Sequence, residues 1–393
     1  MKCRKNEDVE TLAYKFRIYP NEEQRTMLAK TFGCVRYLWN RMLSDHNELY
    51  RVIGQVPDNT PADYKSLDEC QWLSEVDSMA LDSVRIDQKR AFESFFRENT
   101  AHPVFHKKHG KQSYRTNVVN QNIRLTDNGL KLPKINDVIK INQHRRIKSG
   151  GKLKSVTVTK EANGHYYASL LYEYPINTFI KKPVYKANPK TIGLDMKLGS
   201  LYIDSNGHSA DMPDFYRLME NRLAREQAKL SHMQKASSNY KKQLRKINRL
   251  HTKIKLQRLD FLRKTAYKIA SEYDVICIED LDLKGMSSKN NYILTDHGKH
   301  LTHGKSVHSN GYGMFISWLT WDCRKTGHEI VTVDRYYPST QLCSTCGHKQ
   351  SLEISDRIYI CPECGTIIDR DYNSALNIKT EGLRIYHDKN KTA

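Results

Sequence analysis

The pattern of apolar and polar positions opens with alternation. Tyr14-Lys15-Phe16-Arg17-Ile18-Tyr19 alternates up to Pro20, which predicts a strand with one buried face. Asn21 follows as a helix N-cap candidate, with Glu22 and Glu23 in the first turn and apolar residues at Met27, Leu28, Phe32, Val35 and Leu38. Helical periodicity resumes from Met79 to Phe96 through Val84, Ile86, Phe92 and Phe95. Residues 16–98 therefore read as mostly helical, around a Pro- and Asp-containing loop near 54–66. From His102 basic and aromatic residues interleave in short strand-like runs: Phe105-His106-Lys107-Lys108-His109, Tyr114-Arg115, His144-Arg145-Arg146, Val156-Thr157-Val158 and Tyr166 to Tyr172. Strands at this spacing predict a small β-barrel over about 100–185, completed by the strand at 12–19.

A new pattern begins near residue 190. Thr191-Ile192-Gly193-Leu194-Asp195, then Leu201-Tyr202-Ile203-Asp204 and Ser205-Asn206-Gly207, predict a strand, a tight turn and a second strand. Tyr216 to Ala270 holds no Pro or Gly and carries Leu223, Leu230, Leu244, Ile247, Leu250, Ile254, Leu262 and Ile269 at helical spacing, so it predicts a long helix pair. Val275-Ile276-Cys277-Ile278-Glu279 reads as another buried strand. A loop to about 310, a helix from Met314 to Lys325 closed by Gly327, and a strand at Ile330–Val333 follow. No repeat or low-complexity tract is present, and Tyr386 to Ala393 is polar enough to predict a frayed tail.

Composition narrows the function. The 393 residues suggest two or three domains, and 38% hydrophobic residues with 23 Tyr suffice for a sizeable core. A net charge of +20 makes a polyanion the expected partner. A membrane is the poorer choice, because no apolar run approaches the ~18 residues of a spanning helix. Met1 to Asp8 has no apolar core for a secretory signal, and nine Cys is an odd count, so a reducing compartment and nucleic acid are expected. The predicted helix pair holds 16 Lys/Arg against 3 Asp/Glu, which concentrates most of the surplus there. A solvated helical surface is the plainer explanation of that charge.

Two Cys-x-x-Cys-Gly knuckles, Cys343/Cys346 and Cys361/Cys364, stand fourteen residues apart. Two residues between thiolates let one turn present both sulfurs to a metal, and the following Gly permits the turn. Four thiolates leave no open coordination position, so the metal is expected to be structural zinc rather than catalytic. Two redox pairs are the competing explanation. Cys3, Cys34, Cys70, Cys277 and Cys323 show no ligand spacing.

Several acids sit where charge is expensive. Asp195 and Glu279 end apolar strands, Asp369 and Asp371 open a short helix after the knuckles, and Asp334 follows Ile330–Val333. Phosphodiester hydrolysis on two divalent ions ~4 Å apart needs such carboxylates brought together, because Mg²⁺ prefers oxygen ligands. Each acid taken singly fits a helix cap, a turn or an ion pair equally well.

Gly193-Leu194-Asp195, Ile278-Glu279-Asp280-Leu281, the two knuckles and Asp369-Arg370-Asp371-x-Asn373-x-Ala375-x-Asn377-Ile378 together resemble the TnpB family, transposon-encoded RNA-guided nucleases related to the type V CRISPR effectors. Tyr14–Pro20 with Thr31-Phe32-Gly33, Gln112–Arg115 and Tyr337-Pro338-Ser339-Thr340-Gln341-x-Cys343 resemble it too, so the likeness covers about 12–380.

The resemblance implies a multidomain α+β fold. A helical recognition domain (16–99) would be inserted into a wedge-type β-barrel (1–15 and 100–185). An RNase H-like RuvC nuclease domain (186–340 and 366–382) would follow, with the basic helix pair at about 216–270, an inserted zinc ribbon (341–365) and a flexible tail (383–393). The implied catalytic acids, and ligands of catalytic Mg²⁺ or Mn²⁺, are Asp195, Glu279 and Asp371, with Asp369 a supporting neighbour or structural and Asp334 a structural strand-end residue.

The implied activity is cleavage of double-stranded DNA beside a short adjacent motif, guided by an RNA from the transposon right end, in a prokaryotic cytoplasm at the nucleoid. Residues 78–98 correspond to the motif-reading region. Asp82 stands where the family pattern has Gln, so no motif-reading residue carries over. Two other classes compete: a transposase acting on transposon ends without RNA, and an RNA-guided repressor that binds without cutting. The intact acid set disfavours the repressor. Oligomeric state is left open.

Overall fold

A computed structural model describes residues 9–54, 58–98, 100–197, 200–211, 213–235, 237–286, 292–294, 300–302, 311–353 and 356–391. Cys3, the first eight residues, much of the loop expected before 310 and the last two residues of the tail lie outside these. The chain folds as two compact units that meet in sequence between Thr178 and Phe179. None of the described helices is long and apolar enough to cross a membrane.

The first unit is an antiparallel sheet with a helical insertion. β1 (Val9–Tyr19) leads into α1 (Glu22–Ile53), α2 (Pro61–Lys65), a 3₁₀ turn (Asp68–Glu75) and α3 (Ser78–Glu98). The predicted cap is present: the Gln24 N–H donates to Asn21 Oδ1 at 2.9 Å, and the Asn21 N–H donates back to the Gln24 side chain at 3.0 Å. Cys34, Leu38, Met42, Tyr64, Leu73 and Leu81 bury together, giving the inserted helices their own core. β2 (Gln112–Asn117), β3 (Arg124–Thr126), β4 (Gly129–Lys131), β5 (Lys140–Asn142), β6 (Lys152–Lys160) and β7 (Tyr166–Pro175) follow.

The sheet order is β2-β6-β7-β1-β5. β1 pairs with β7 from Val9↔Pro175 to Ile18↔Tyr166. The sheet segment therefore runs past residue 15, and the helical insertion starts at Glu22 rather than 16. Among the described residues β2 and β5 end the hydrogen-bonded order, so the ladder itself does not close into a ring. Alternation was the right signal for strands, but closure depends on pairing that a single strand's pattern does not encode.

The second unit is built on a mixed sheet. β8 (Thr191–Met196), β9 (Ser200–Asp204) and β10 (Ser209–Asp211) form an antiparallel meander, followed by α4 (Asp214–Ser231) and α5 (Ser238–Glu272). β11 (Val275–Glu279) and β14 (Glu329–Val333) extend the sheet in parallel, giving the order β10-β9-β8-β11-β14. Between them lie α6 (Leu283–Met286), the hairpin β12 (Tyr292–Leu294) and β13 (His300–Thr302), and α7 (Tyr312–Thr326). β15 (Ile358–Ile360), β16 (Ile367–Asp369) and α8 (Arg370–Lys391) complete the chain.

Period-two alternation decides which helix covers which face. Ile192, Leu194, Ile276 and Ile278 point to α5 and α7, packing with Leu262, Ala266, Phe315 and Leu319. Val275 and Cys277 point the other way, to Ile378 and Tyr386 of α8. Helices on both faces explain why these strands are apolar throughout.

The tail expected to be flexible from 383 is instead the last turns of α8, which runs to Lys391. Tyr386 is only 2% exposed and stacks on Tyr185 at 5.5 Å. One buried aromatic at the correct helical position outweighs the polar residues around it, which occupy the solvent face. The ribbon boundary also moves: β16 pairs with β15 as far as Asp369↔Ile358 and runs straight into α8, so the hairpin ends at 369 and not 365.

Candidate active site and metal centre

Asp195 and Glu279 reach the same end of the sheet by register. β8 and β11 are parallel with Leu194 opposite Ile278, so the next residues, both acidic, stand side by side. Asp195 shares the face of Gly193, two residues back, and that is the face α8 covers. A Cβ on Gly193 would lie 2.2 Å from the Ala375 carbonyl oxygen and 2.7 Å from the Lys379 nitrogen. The missing side chain therefore lets α8 lie directly on β8, and Asp371, one turn before Ala375, comes to the acids. A second contact of this kind secures the helix, since a Cβ on Gly382 would lie 2.4 Å from Cys277 Sγ.

The electrostatics follow from that assembly. Burial pushes the Asp195 carboxyl up to about 8, and the charges of Glu279 and Asp371 push in the same direction. The Ser374 hydroxyl and Arg370 oppose this without reversing it. Burial also raises Glu279, helped by Asp280. Asp371 has cations beside it: Lys197 Nζ lies 3.4 Å from Oδ2, and Arg370 Nη2 lies 3.3 Å from Oδ1. A buried carboxyl whose proton affinity is raised by burial and by two neighbouring carboxylates fits a divalent cation, which supplies the missing positive charge through oxygen ligands.

The other candidate acids are accounted for differently. Asp369 accepts the Tyr372 N–H at 2.9 Å and caps α8. Asp334 accepts the Tyr336 N–H at 2.8 Å in an exposed turn after β14.

The four knuckle sulfurs lie within 4.8 Å of one another, with Cys343–Cys364 at 3.6 Å and Cys346–Cys361 at 3.5 Å. A tetrahedron of sulfurs ~2.3 Å from zinc has edges of ~3.8 Å, so the donor set fits that ion. Gly347 and Gly365 adopt φ of 78° and 70°, the left-handed backbone for which the sequence reserves glycine. Their N–H groups donate to the Cys343 and Cys361 carbonyls at 2.9 and 3.0 Å. Burial works against the Cys343 thiolate, but the backbone N–H groups of Cys346 and Thr345 outweigh it and bring the thiol down to about 6. Tyr359, fully buried, donates its hydroxyl to the Gln341 and His348 carbonyls beneath the cluster. Cys34, Cys70, Cys277 and Cys323 are buried and lie outside it.

Two asparagines tie this centre to the acid-bearing helix. Asn373 donates to the Leu342 carbonyl at 2.6 Å and accepts the Ser344 N–H at 2.9 Å. Asn377, one turn on, donates to the Ser339 and Leu342 carbonyls at 2.8 and 2.7 Å. Their spacing in the motif is thus the pitch of α8. Sequence reasoning noted the two residues without finding this role, and it missed Lys197, Ser374 and the two glycine contacts. Gly193 alone carried a readable signal, because glycine inside a buried strand marks close backbone approach.

Basic surface occurs in both units. α4 and α5 pack together and carry the Lys/Arg-rich stretch, with buried Glu226 held between Lys246 at 2.9 Å and Gln243 at 2.8 Å. On the first sheet, Lys15 lies over the Tyr167 ring at 4.5 Å, Arg17 over Tyr19 at 4.9 Å and Lys160 over Tyr166 at 5.4 Å. Cations held beside aromatic rings on this sheet suit contact with phosphates.

Comparison with known proteins converges on these features. A Cas12f1-like TNB domain matches residues 312–378, and a family described as "Probable transposase" matches 170–290. A "Helix-turn-helix domain" matches 11–53, residues that here form one strand and one uninterrupted helix. A "Putative RNA-guided DNA endonuclease" of Streptomyces pristinaespiralis is 31% identical over 378 residues, covering 94% of this chain and 89% of the relative. The "Putative RNA-guided DNA endonuclease InsQ" of Escherichia coli K12 is 28% identical over 382 residues, covering 94% and 92%. A solved Cas12f1 complex with single-guide RNA and target DNA shares the fold at a TM-score of 0.56, with 12% identity over 94% of this chain and 99% of that one. On the strength of that full-length kinship, the chain belongs to the TnpB family.

Proposed function

We propose that this protein is a transposon-encoded, RNA-guided DNA endonuclease that hydrolyses double-stranded DNA. The observation that supports the reading is that Asp195, buried at the end of β8, feels the charges of both Glu279 from β11 and Asp371 from α8. The strand order, an antiparallel meander continued by two parallel strands, supports an RNase H-like RuvC domain. The ribbon enters that domain between β14 and α8. In the first unit, the β1–β7 sheet with its insertion of α1 to α3 supports a wedge-type module carrying a recognition domain.

Asp195, Glu279 and Asp371 would hold Mg²⁺ or Mn²⁺. Such ions, when bound, polarise the phosphodiester and make water a competent nucleophile near neutral pH. The chain's own groups do the rest. Asp195 and Glu279 stand level on adjacent strands, and the glycine contact under α8 brings Asp371 near Asp195. Lys197 and Arg370 pair with Asp371 and orient it. The cysteine cluster would hold structural zinc and, through Asn373 and Asn377, fix the start of the helix that bears Asp371. Base pairing would read the target, while the basic helix pair and the Lys/Arg–aromatic sheet hold nucleic-acid backbones.

The test is to express the chain with its native downstream flank and sequence the copurified RNA. A discrete RNA matching the element's right end and running into flanking sequence is expected. Loaded with it, the protein should cut a matched duplex in Mg²⁺, and Asp195→Ala should not. Only heterogeneous, salt-strippable RNA would sink the guided reading in favour of a transposase. A target complex with no product in excess Mg²⁺ would indicate a guided repressor.

A further inference from the structure

Open α/β sheets receive their ligands at the carboxyl ends of parallel strands. β8, β11 and β14 run parallel, and at that end the register sets Val333 opposite Glu279. The chain then turns at once through Asp334-Arg335-Tyr336. This turn is fixed from both sides. Asp334 accepts the Tyr336 N–H through its side chain at 2.8 Å and the Tyr337 N–H through its carbonyl at 3.0 Å. Arg335 donates twice to Asp280, the residue after Glu279: Nη2 to the carboxylate at 3.0 Å and Nε to the carbonyl at 3.2 Å. Tyr337 packs against the cluster of Val333, Ile378 and Tyr386, on the sheet face that α8 covers. That is the face of Asp195. Between these anchors Tyr336 is 87% exposed, more than any other large apolar or aromatic side chain among the described residues.

A ring held out on a fixed turn adds little to the core, but it has already lost the freedom that stacking on another flat group would cost. Guide pairing leaves one DNA strand with unpaired bases, and every base offers a face that an aromatic ring can take without reading sequence. We propose that Tyr336 contacts the DNA substrate directly, stacking on an unpaired base of the strand displaced by the guide and so holding that strand beside the acids. This inference rests on the reading of Asp195, Glu279 and Asp371 as the cleavage site, and the experiment separates the two claims.

Guide-loaded full-length protein, as wild type, Tyr336→Ala, Tyr336→Trp and Asp195→Ala, is given matched duplexes in which single nucleotides of the guide-unpaired strand near the cut are made abasic in turn. Single-turnover cleavage rates are measured in saturating Mg²⁺, with thermal melting and guide RNA content followed alongside. On intact DNA, Tyr336→Ala should cut about tenfold more slowly. Its melting and RNA content should match wild type, and Tyr336→Trp should cut near the wild-type rate. One abasic position should slow wild type by a similar factor and leave Tyr336→Ala unaffected, since base and ring are two halves of one contact. A wild-type rate from Tyr336→Ala, or equal abasic effects in the two proteins at every position, would overturn the proposal and leave the acid site standing. So would a slow Tyr336→Ala that melts lower and that Tyr336→Trp does not rescue, which would make the ring a part of the turn. No cutting by wild type, or equal cutting by Asp195→Ala, would overturn the acid site itself and the base contact with it.

Discussion

The cysteine cluster and the acid cluster are both candidate metal centres, and they are built in opposite ways. The sulfurs come from one short stretch, Cys343 to Cys364, and their turns supply N–H groups that hold Cys343 down to about 6 before any metal arrives. The acids come from three elements as far apart in sequence as Asp195 and Asp371, and the fold raises Asp195 to about 8 by burying it and bringing two further carboxylates near it. A local site can be stabilised by its own backbone. A site assembled over long range is paid for by the rest of the fold, here by two strands, one helix and two glycine contacts.

The sharpest way to break that comparison is to remove the zinc. Structural zinc contributes on the order of 10 kcal/mol to small sites. Cys361→Ser should therefore lose the metal, measured as zinc per chain, and open the ribbon to protease. It should also lower cleavage, because Asn373 and Asn377 connect the ribbon to α8. Full activity in a zinc-free chain would show that the two centres are independent.

Asp195→Asn tests the other side. Cleavage should fall at least about a thousandfold, roughly 4 kcal/mol of barrier. The metal-free protein should nevertheless become more stable at pH 8. A carboxyl raised in the folded state holds a proton that the unfolded chain has released. Wild-type stability therefore declines from about pH 4, where the unfolded acid titrates, to about 8, by up to about 1.4 kcal/mol per unit. The gain from Asn should be large at pH 8 and vanish near pH 4. A gain that does not vary with pH would contradict the charge argument.

Gly193→Ala should cost about 3 kcal/mol in denaturant unfolding, because its Cβ meets backbone that cannot turn away. It should depress cleavage as Asp371 shifts. A tolerated alanine would mean α8 does not rest on β8 as described. The smallest effect belongs to Asn377→Ala, which strands the Ser339 carbonyl, leaves Leu342 with Asn373 alone and should cost about 1–2 kcal/mol. Zinc should be retained while proteolysis of residues 339–344 increases.

The same contrast explains what could be read in advance. The knuckles were legible because spacing alone places their sulfurs, and the left-handed glycines followed from the sequence. Asp195, Glu279, Asp369 and Asp334 looked alike along the chain, each at the end or start of an element. Family likeness singled out Asp195, Glu279 and Asp371, and the structure then gave Asp369 a cap and Asp334 a turn. Asn377 was silent because its meaning lies in carbonyls 38 and 35 residues away. The tail was misjudged because polar composition hid the single buried Tyr386.

The raised carboxyl of Asp195 also has a consequence for how such a lineage drifts. If Asp195 serves as proposed, changing one oxygen to nitrogen there would silence cutting, leave the nucleic-acid surfaces untouched and stabilise the metal-free fold. Loss of cleavage is thus downhill in the stability of the metal-free chain, where selection for cutting holds the charged residue in place. A guided binder that no longer cuts lies a single substitution away, in the direction the chain already leans.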